Sequence, residues 1–344
     1  MAKPVYYEEY IDTGAPQYLL HYPVAKRADA PKRAKTSERQ TAAATAATAA
    51  NSGAPVLLLV HGGPGFSESF MGYRLKAQWE DLFNLVFWDQ RGCGKSLAAS
   101  TKPITYPIAI NEIMSDMQAV VEHLKKRYGV EKIAVLGHSW GSVLGSRYAL
   151  EHPDDLLLYI GVGQVVEMRK NELCAYNTLR ERIVTAGATK DLEMLPNFEE
   201  LEFLPREDGQ SEQQKTFWRL RQKYNMVVKI DLCTLAMFVR SPSFKFSDFS
   251  FLKKDVERLR WDLVEYLASF NLRDLGSVYH LPVAYLLGAE DYQTVTSLAV
   301  EYFEGMQAPR KLLRVIPKAG HNTMIDAPEA FAAALREAHA LLGG

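Results

Sequence analysis

One continuous apolar run, VLLLV (56–60), and five largely apolar ones mark the chain: NLVFW (84–88), IAVLG (133–137), LLLYIGVG (156–163), PVAYLLG (282–288) and KLLRVI (311–316). A run without polar alternation is what a strand buried on both faces requires. Between them lie helical patterns. Ile113, Met114, Met117, Val120, Val121 and Leu124 follow the i, i+3, i+4, i+7 spacing of one buried helix face. Asp326 as a cap and Pro328 in the first turn announce a last helix. Upstream, residues 5–23 hold two strand-like pieces around the turn Thr13-Gly14-Ala15-Pro16. Strands alternating with helices predict βαβ units, and hence an α/β fold with a mostly parallel, doubly wound sheet.

Two stretches break this rhythm. Residues 25–53 are rich in Ala, Thr, Lys and Arg and poor in large apolar side chains. Such a segment buries little surface and reads as a solvated, mobile loop. Residues 164–279 carry helix-like stretches dense in charge and aromatics, such as NELCAYNTLRERIV and QQKTFWRLRQKYNMV, with no buried-strand run. Because strand runs resume at Pro282, this block reads as a helical cap inserted into the core. The division is then 1–163 for the first part of the core, 164–279 for the cap and 280–344 for the second part. A cap over the C-terminal edge of the sheet covers the crevice where such folds bind ligands.

Composition narrows the function classes. Hydrophobic residues make up 47% of 344, enough for a large core, and a net charge of −1 lacks the basic footprint of a nucleic-acid binder. Cys93, Cys174 and Cys233 are too few, and odd in number, for a disulfide framework. The start MAKPVYYEEYIDTG has no basic stretch followed by an apolar one, and no apolar run approaches the ~18 residues that span a bilayer. A cytoplasmic protein is expected, with no membrane association.

The chemistry centres on Gly137-His138-Ser139-Trp140-Gly141, a G-x-S-x-G motif between a predicted strand and a predicted helix. That context is the nucleophile elbow of the α/β-hydrolase fold, in which a tight turn lifts the serine above the sheet edge. A serine hydroxyl needs a base. His321, in Lys318-Ala319-Gly320-His321-Asn322, follows the last predicted strand on the same rim. The orienting acid should follow a strand between serine and histidine. Asp291, after PVAYLLG, is the choice, with Glu290 as the neighbour that could take the role. Oxyanion donors are expected from the backbone N–H of Trp140 and from the glycine loop His61-Gly62-Gly63-Pro64-Gly65. There Gly63 is favoured and Gly62, also a substrate-lining position, is the alternative.

Asp89-Gln90-Arg91-Gly92-Cys93-Gly94-Lys95-Ser96 imitates a phosphate loop, but G-x-x-x-x-G-K-[ST] needs glycine where Asp89 stands. It reads instead as a structural turn, with Asp89 and Arg91 holding loops near the site and Cys93 packed. No metal-ligand spacing appears, so neither metal nor cofactor is expected.

HGGPG, DQRGCGKS and GHSWGS, with GAED at 288–291 and AGHN at 319–322, resemble the prolyl aminopeptidase (proline iminopeptidase) family of α/β-hydrolases. The resemblance implies an exopeptidase releasing an N-terminal residue, often proline, from short peptides. It further implies that cap carboxylates bind the substrate α-ammonium, since a buried cation needs a paired anion. Glu167, just after a strand, is the first candidate and Glu172 the next. An esterase, lactonase or amidase using the same three residues on a small non-peptide molecule is the alternative, because fold does not fix substrate.

Overall fold

In the computed structural model the six apolar runs become six adjacent parallel strands of one eight-stranded sheet. The structure describes residues 6–24, 53–101, 108–201, 211–228, 232–245, 248 and 261–343. The strands are β1 (Tyr7–Asp12), β2 (Pro16–Tyr22), β3 (Val56–Val60), β4 (Asn84–Asp89), β5 (Ile133–His138), β6 (Leu156–Val162), β7 (Val283–Gly288) and β8 (Lys311–Ile316). The helices before β6 are α1 (Gly72–Trp79), α2 (Gly94–Ala99), α3 (Ile110–Tyr128) and α4 (Trp140–Glu151). Between β6 and β7 come α5 (Met168–Thr185), α6 (Thr189–Met194), α7 (Glu212–Lys223), α8 (Leu232–Val239) and α9 (Trp261–Ser269). After β7 follow α10 (Thr296–Gly305), α11 (Thr323–Asp326) and α12 (Pro328–Ala340). The predicted solvated loop lies, apart from Gly53, outside the described residues.

The strand order is β1-β2-β4-β3-β5-β6-β7-β8, and only the β1–β2 and β2–β4 pairs are antiparallel. From β3 the chain steps to β4 on one side and then to β5 on the other. That reversal is a topological switch point, where the loops leaving β3 and β5 part and open a crevice.

Burial on both faces explains the unbroken apolar runs. In β3, Val56, Leu58 and Val60 join the layer of Met117, Val120 and Leu124 from α3. Leu57 and Leu59 face the opposite layer, with Trp79 of α1 and Phe331 of α12. Each such side chain contributes about 1.5–3 kcal/mol relative to exposure. β8 departs from the expectation. It is the edge strand, paired only with β7, and most of its residues are exposed or half-buried. The last helix also begins differently: Ala327, not Asp326, occupies the cap position, with Pro328 in the first turn. The Asp326 carboxylate instead accepts the Gly320 N–H at 2.9 Å, in the loop that carries His321.

Among the described residues 164–279 are helical, with two isolated bridges, Glu167 to Asn271 and Val278 to Gln307, and no strand. α5 and α7 share a separate apolar cluster of Ala175, Leu179, Ile183, Phe217, Leu220 and Met226. Over the described residues no helix is long and apolar enough to cross a membrane.

The tightest packing lies where α4 crosses β3. A Cβ added at Gly141 would sit 1.9 Å from the Val60 carbonyl oxygen, a backbone atom that cannot swing aside. We expect Gly141→Ala to destabilise the fold by at least about 3 kcal/mol, the upper range for overpacked cores. Gly305→Ala, where an added Cβ meets nothing within 4 Å, should leave stability unchanged or raised. Denaturant melts of both variants check the contrast, and equal melts would refute the packing argument.

Candidate active site

β5 ends at His138 and α4 begins at Trp140, so Ser139 alone makes the turn. Its backbone has φ 53° and ψ −119°, a left-handed φ that costs a non-glycine residue on the order of 1–3 kcal/mol. Three hydrogen bonds hold it there. The Ser139 N–H donates to the Val162 carbonyl at 2.9 Å, and the Ser142 N–H and hydroxyl donate to the Ser139 carbonyl at 2.8 and 2.6 Å. The Trp140 ring is pinned by its N–H to Gln90 Oε1 at 3.0 Å. The Ser139 hydroxyl has no hydrogen-bond partner among the described residues and borders a cavity of about 580 Å³.

His321 lines that same cavity. Its Nδ1 donates to Asp291 Oδ2 at 2.9 Å, which leaves Nε2 free for chemistry. Asp291 is saturated: Oδ1 accepts the amides of Gln293 and Thr294, both at 2.9 Å, and Oδ2 also accepts the Thr294 hydroxyl at 2.7 Å. Burial alone would raise the Asp291 carboxyl. The charge and hydrogen bond of His321 and the Thr294 donors outweigh it and hold the group below its ordinary value. Glu290 is exposed, so of the two acids weighed in the sequence it is Asp291 that contacts the ring.

The two glycines of the first loop separate by their partners. The Gly62 N–H is directed at Glu68 Oε1, 3.4 Å away, which occupies it. Gly63 has φ 121°, and a Cβ there would fall 2.4 Å from the Gly65 nitrogen, so only glycine fits. Gly63, Trp140 and Ser139 all border a second cavity of about 900 Å³. The positive end of α4 points at the same spot, since Trp140 is its first residue.

A second carboxylate–imidazole pair was not legible in the sequence. Glu68 Oε1 lies 2.5 Å from His138 Nδ1, and His138 Nε2 lies 3.0 Å from the carbonyl oxygen of His321. Both partners of the pair are buried. A carbonyl can only accept, so Nε2 carries a proton, and Nδ1 shares a second with the carboxylate. Burial pulls the imidazole down and pushes the carboxyl up. Their mutual charge and hydrogen bond outweigh this, leaving His138 above its ordinary value and Glu68 below. The rings of His138 and His321 are 5.0 Å apart. The pair therefore joins the glycine loop, the serine turn and the His321 loop. Seventy positions separate its members, and no spacing rule connects them.

Glu167 and Glu172 both reach the larger cavity, beside Ser139. Glu172 is already matched: its Oε2 accepts from the Arg221 guanidinium at 2.9 Å. Glu167, half-buried at the start of α5, has no ion pair among the described residues. The turn at 89–96 is structural. Asp89 accepts from the Ser67 hydroxyl and the Lys95 amide, and Arg91 grips Asp116 of α3 through two nitrogens. Cys93 is buried, with its sulfur 3.1 Å from His61 Nε2.

The family described as the alpha/beta hydrolase fold matches residues 55–328. A protein named probable aminopeptidase YbaC, from Bacillus subtilis, is 26% identical over 290 residues, covering 81% of this chain and 86% of that one. A probable proline iminopeptidase of Streptomyces coelicolor is 41% identical over 103 residues, but this stretch is only 29% of the chain and 30% of the relative. The crystal structure of a Mycobacterium smegmatis proline iminopeptidase superposes with a TM-score of 0.61 at 18% identity, covering 98% of this chain and 99% of that one. That last likeness is one of fold.

The Glu68–His138 pair has a stability signature. Glu68, held below its ordinary 4.5, stabilises above that pH and loses its contribution as pH falls through its folded value. His138, held above its ordinary 6.5, stabilises below that pH and loses its contribution as pH rises through its folded value. The pair contributes most between the two. Glu68→Gln, which leaves one buried partner uncompensated, should cost about 3–5 kcal/mol there. Melts of wild type and variant across pH 4–9 check this; a difference independent of pH would refute the charged pair.

Proposed function

We propose, for a chain that belongs to the α/β-hydrolase family, that it is a serine aminopeptidase releasing an N-terminal residue from short peptides through an acyl-enzyme. The observation that carries the reading is the 2.9 Å contact of His321 with Asp291, on the rim of a cavity that Ser139 shares. In the substrate complex the Ser139 hydroxyl comes within reach of His321 Nε2 and gives up its proton as the oxygen attacks the carbonyl. Asp291 holds the ring and stabilises the imidazolium. The N–H groups of Gly63 and Trp140 take the oxyanion. His321 then passes the proton to the departing amine, and water hydrolyses the acyl-enzyme by the same path in reverse.

The aminopeptidase part rests on Glu167. A carboxylate without an ion pair among the described residues, beside the attacking serine, matches the charge of a substrate α-ammonium. Glu172 is the weaker candidate, because Arg221 already neutralises it. The similarity to a protein named as a probable aminopeptidase, over 81% of this chain and 86% of that one, points the same way. Residues 164–279 act in this reading as the cap that selects the substrate.

Aminoacyl chromogenic amides, with proline and alanine at the N-terminus and free or blocked amines, test the proposal beside short-chain esters. Turnover of amides that requires the free amine is expected. Ester turnover alone would overturn the peptidase reading, and silence with both would overturn the hydrolytic one. Ser139→Ala should lower kcat/KM by at least about three orders of magnitude. Glu167→Gln should raise KM for free-amine substrates at least about tenfold more than for blocked ones; an equal effect on both would remove it as the amine anchor.

A further inference from the structure

Ser139 and Gly63 border both cavities, but the remaining site groups are divided between them. Trp140 and Glu167 line the larger cavity only, and His321 the smaller one only. That division sorts the two halves of a substrate. When the tetrahedral intermediate collapses, the bond from the carbonyl carbon to the leaving atom breaks, and the leaving atom takes the proton that His321 Nε2 received from Ser139. The leaving atom must then lie within hydrogen-bond reach of His321. The acyl half, with its oxyanion and ammonium, lies on the side of Trp140 and Glu167.

We infer that the 580 Å³ cavity is the leaving-group subsite and that it takes a large apolar group bearing no negative charge. This rests on the acyl-transfer reading above. Its apolar wall includes Phe66, Phe70, Met71, Met226, Met237 and Ile325, with the neutral amides of Gln222, Asn225, Gln293 and Asn322 at other positions. Methionines adapt to varied apolar shapes, and the volume lies within the ~300–1,000 Å³ of small-molecule pockets. The ionisable groups on it are the Glu68–His138 pair, His321, and the exposed carboxylates Glu290 and Asp326. Among the described residues no lysine or arginine lines it. A carboxylate on the leaving group would enter facing acids with no lysine or arginine among the described residues to meet it, the His138 imidazolium being already matched by Glu68, so the fitting group is a hydrophobic residue whose own carboxyl is amidated or continued in a longer chain.

The test holds the acyl residue constant and varies the leaving group: glycinamide, leucinamide, phenylalaninamide and free phenylalanine. The expected kcat/KM for phenylalaninamide exceeds that for glycinamide, and that for the free acid, by at least about tenfold each. Phe66→Lys places a cation at an exposed wall position and should raise the ratio of free-acid to amide turnover at least about fivefold. Amide turnover that is indifferent to the leaving group overturns the subsite while the aminopeptidase reading stands. If no aminoacyl amide is cleaved, that reading falls, and ethyl, benzyl and 4-carboxybenzyl esters probe the cavity instead. Preference for the benzyl ester there supports the subsite, and equal rates overturn it. Silence in both series overturns both.

Discussion

The arrangement depends on a backbone that is not at rest. Ser139 keeps a left-handed φ because its neighbours leave no alternative: α4 presses against the β3 carbonyls so closely that residue 141 can have no side chain. The Val162 carbonyl and the Ser142 side chain fix the turn from the other side. Strain of this kind persists only where the surroundings over-determine it. Its consequence is directional. The hydroxyl stands away from the sheet, at the switch point, without a protein partner among the described residues to bond it back.

Around that hydroxyl two carboxylate–imidazole pairs are buried side by side, with ring centres 5.0 Å apart. Burying a lone carboxylate or imidazolium costs several kcal/mol, so each is tolerable only as a pair. The pairs differ in what remains free. His138 has both ring nitrogens committed, one to Glu68 and one to the His321 carbonyl. His321 commits only Nδ1. The first pair has no nitrogen left for a substrate and acts as a brace; the second keeps one nitrogen free, as the proposed proton transfer requires.

What the sequence revealed follows from what kind of signal each feature leaves. Six buried strands are continuous in the chain and needed no partner to be seen. Ser139 stands in a G-x-S-x-G motif between a strand and a helix, His321 follows the last strand, and chain order then pointed to the acid at Asp291. KLLRVI misled because an edge strand and a central strand can share composition, and its edge position is set by what fails to pair with it. Asp326 has the residue type of a cap, yet its carboxylate serves the Gly320 amide, a choice made by the fold of the His321 loop. Glu68 with His138, and Glu172 with Arg221, are meetings of distant residues with no local trace. The second of these bears on the proposed amine site, since residue type alone ranks Glu172 beside Glu167.

The separation of strand-borne and helix-borne residues accounts for the asymmetry of the site. Ser139, Asp291, His321 and the glycine loop follow the ends of β5, β7, β8 and β3, whose packing is fixed by two apolar layers. Glu167, Phe217, Trp218, Met226 and Met237 come from the segment between β6 and β7, where α5 and α7 have an apolar cluster of their own. That cluster also packs against Tyr292 and Val295, and Asn171 of α5 bonds the Gln293 carbonyl and the Val295 amide, so a change in it reaches both the cavity walls and the loop that carries Asp291. Trp218 and Gln293 line both cavities, one from each set of elements, so the partition between the halves of the site is itself shared. With the reacting groups at strand ends and the walls supplied largely by the intervening helices, the walls that sort substrates and the loop that holds Asp291 meet at residues 292–295, where a change of wall and a change of register are coupled.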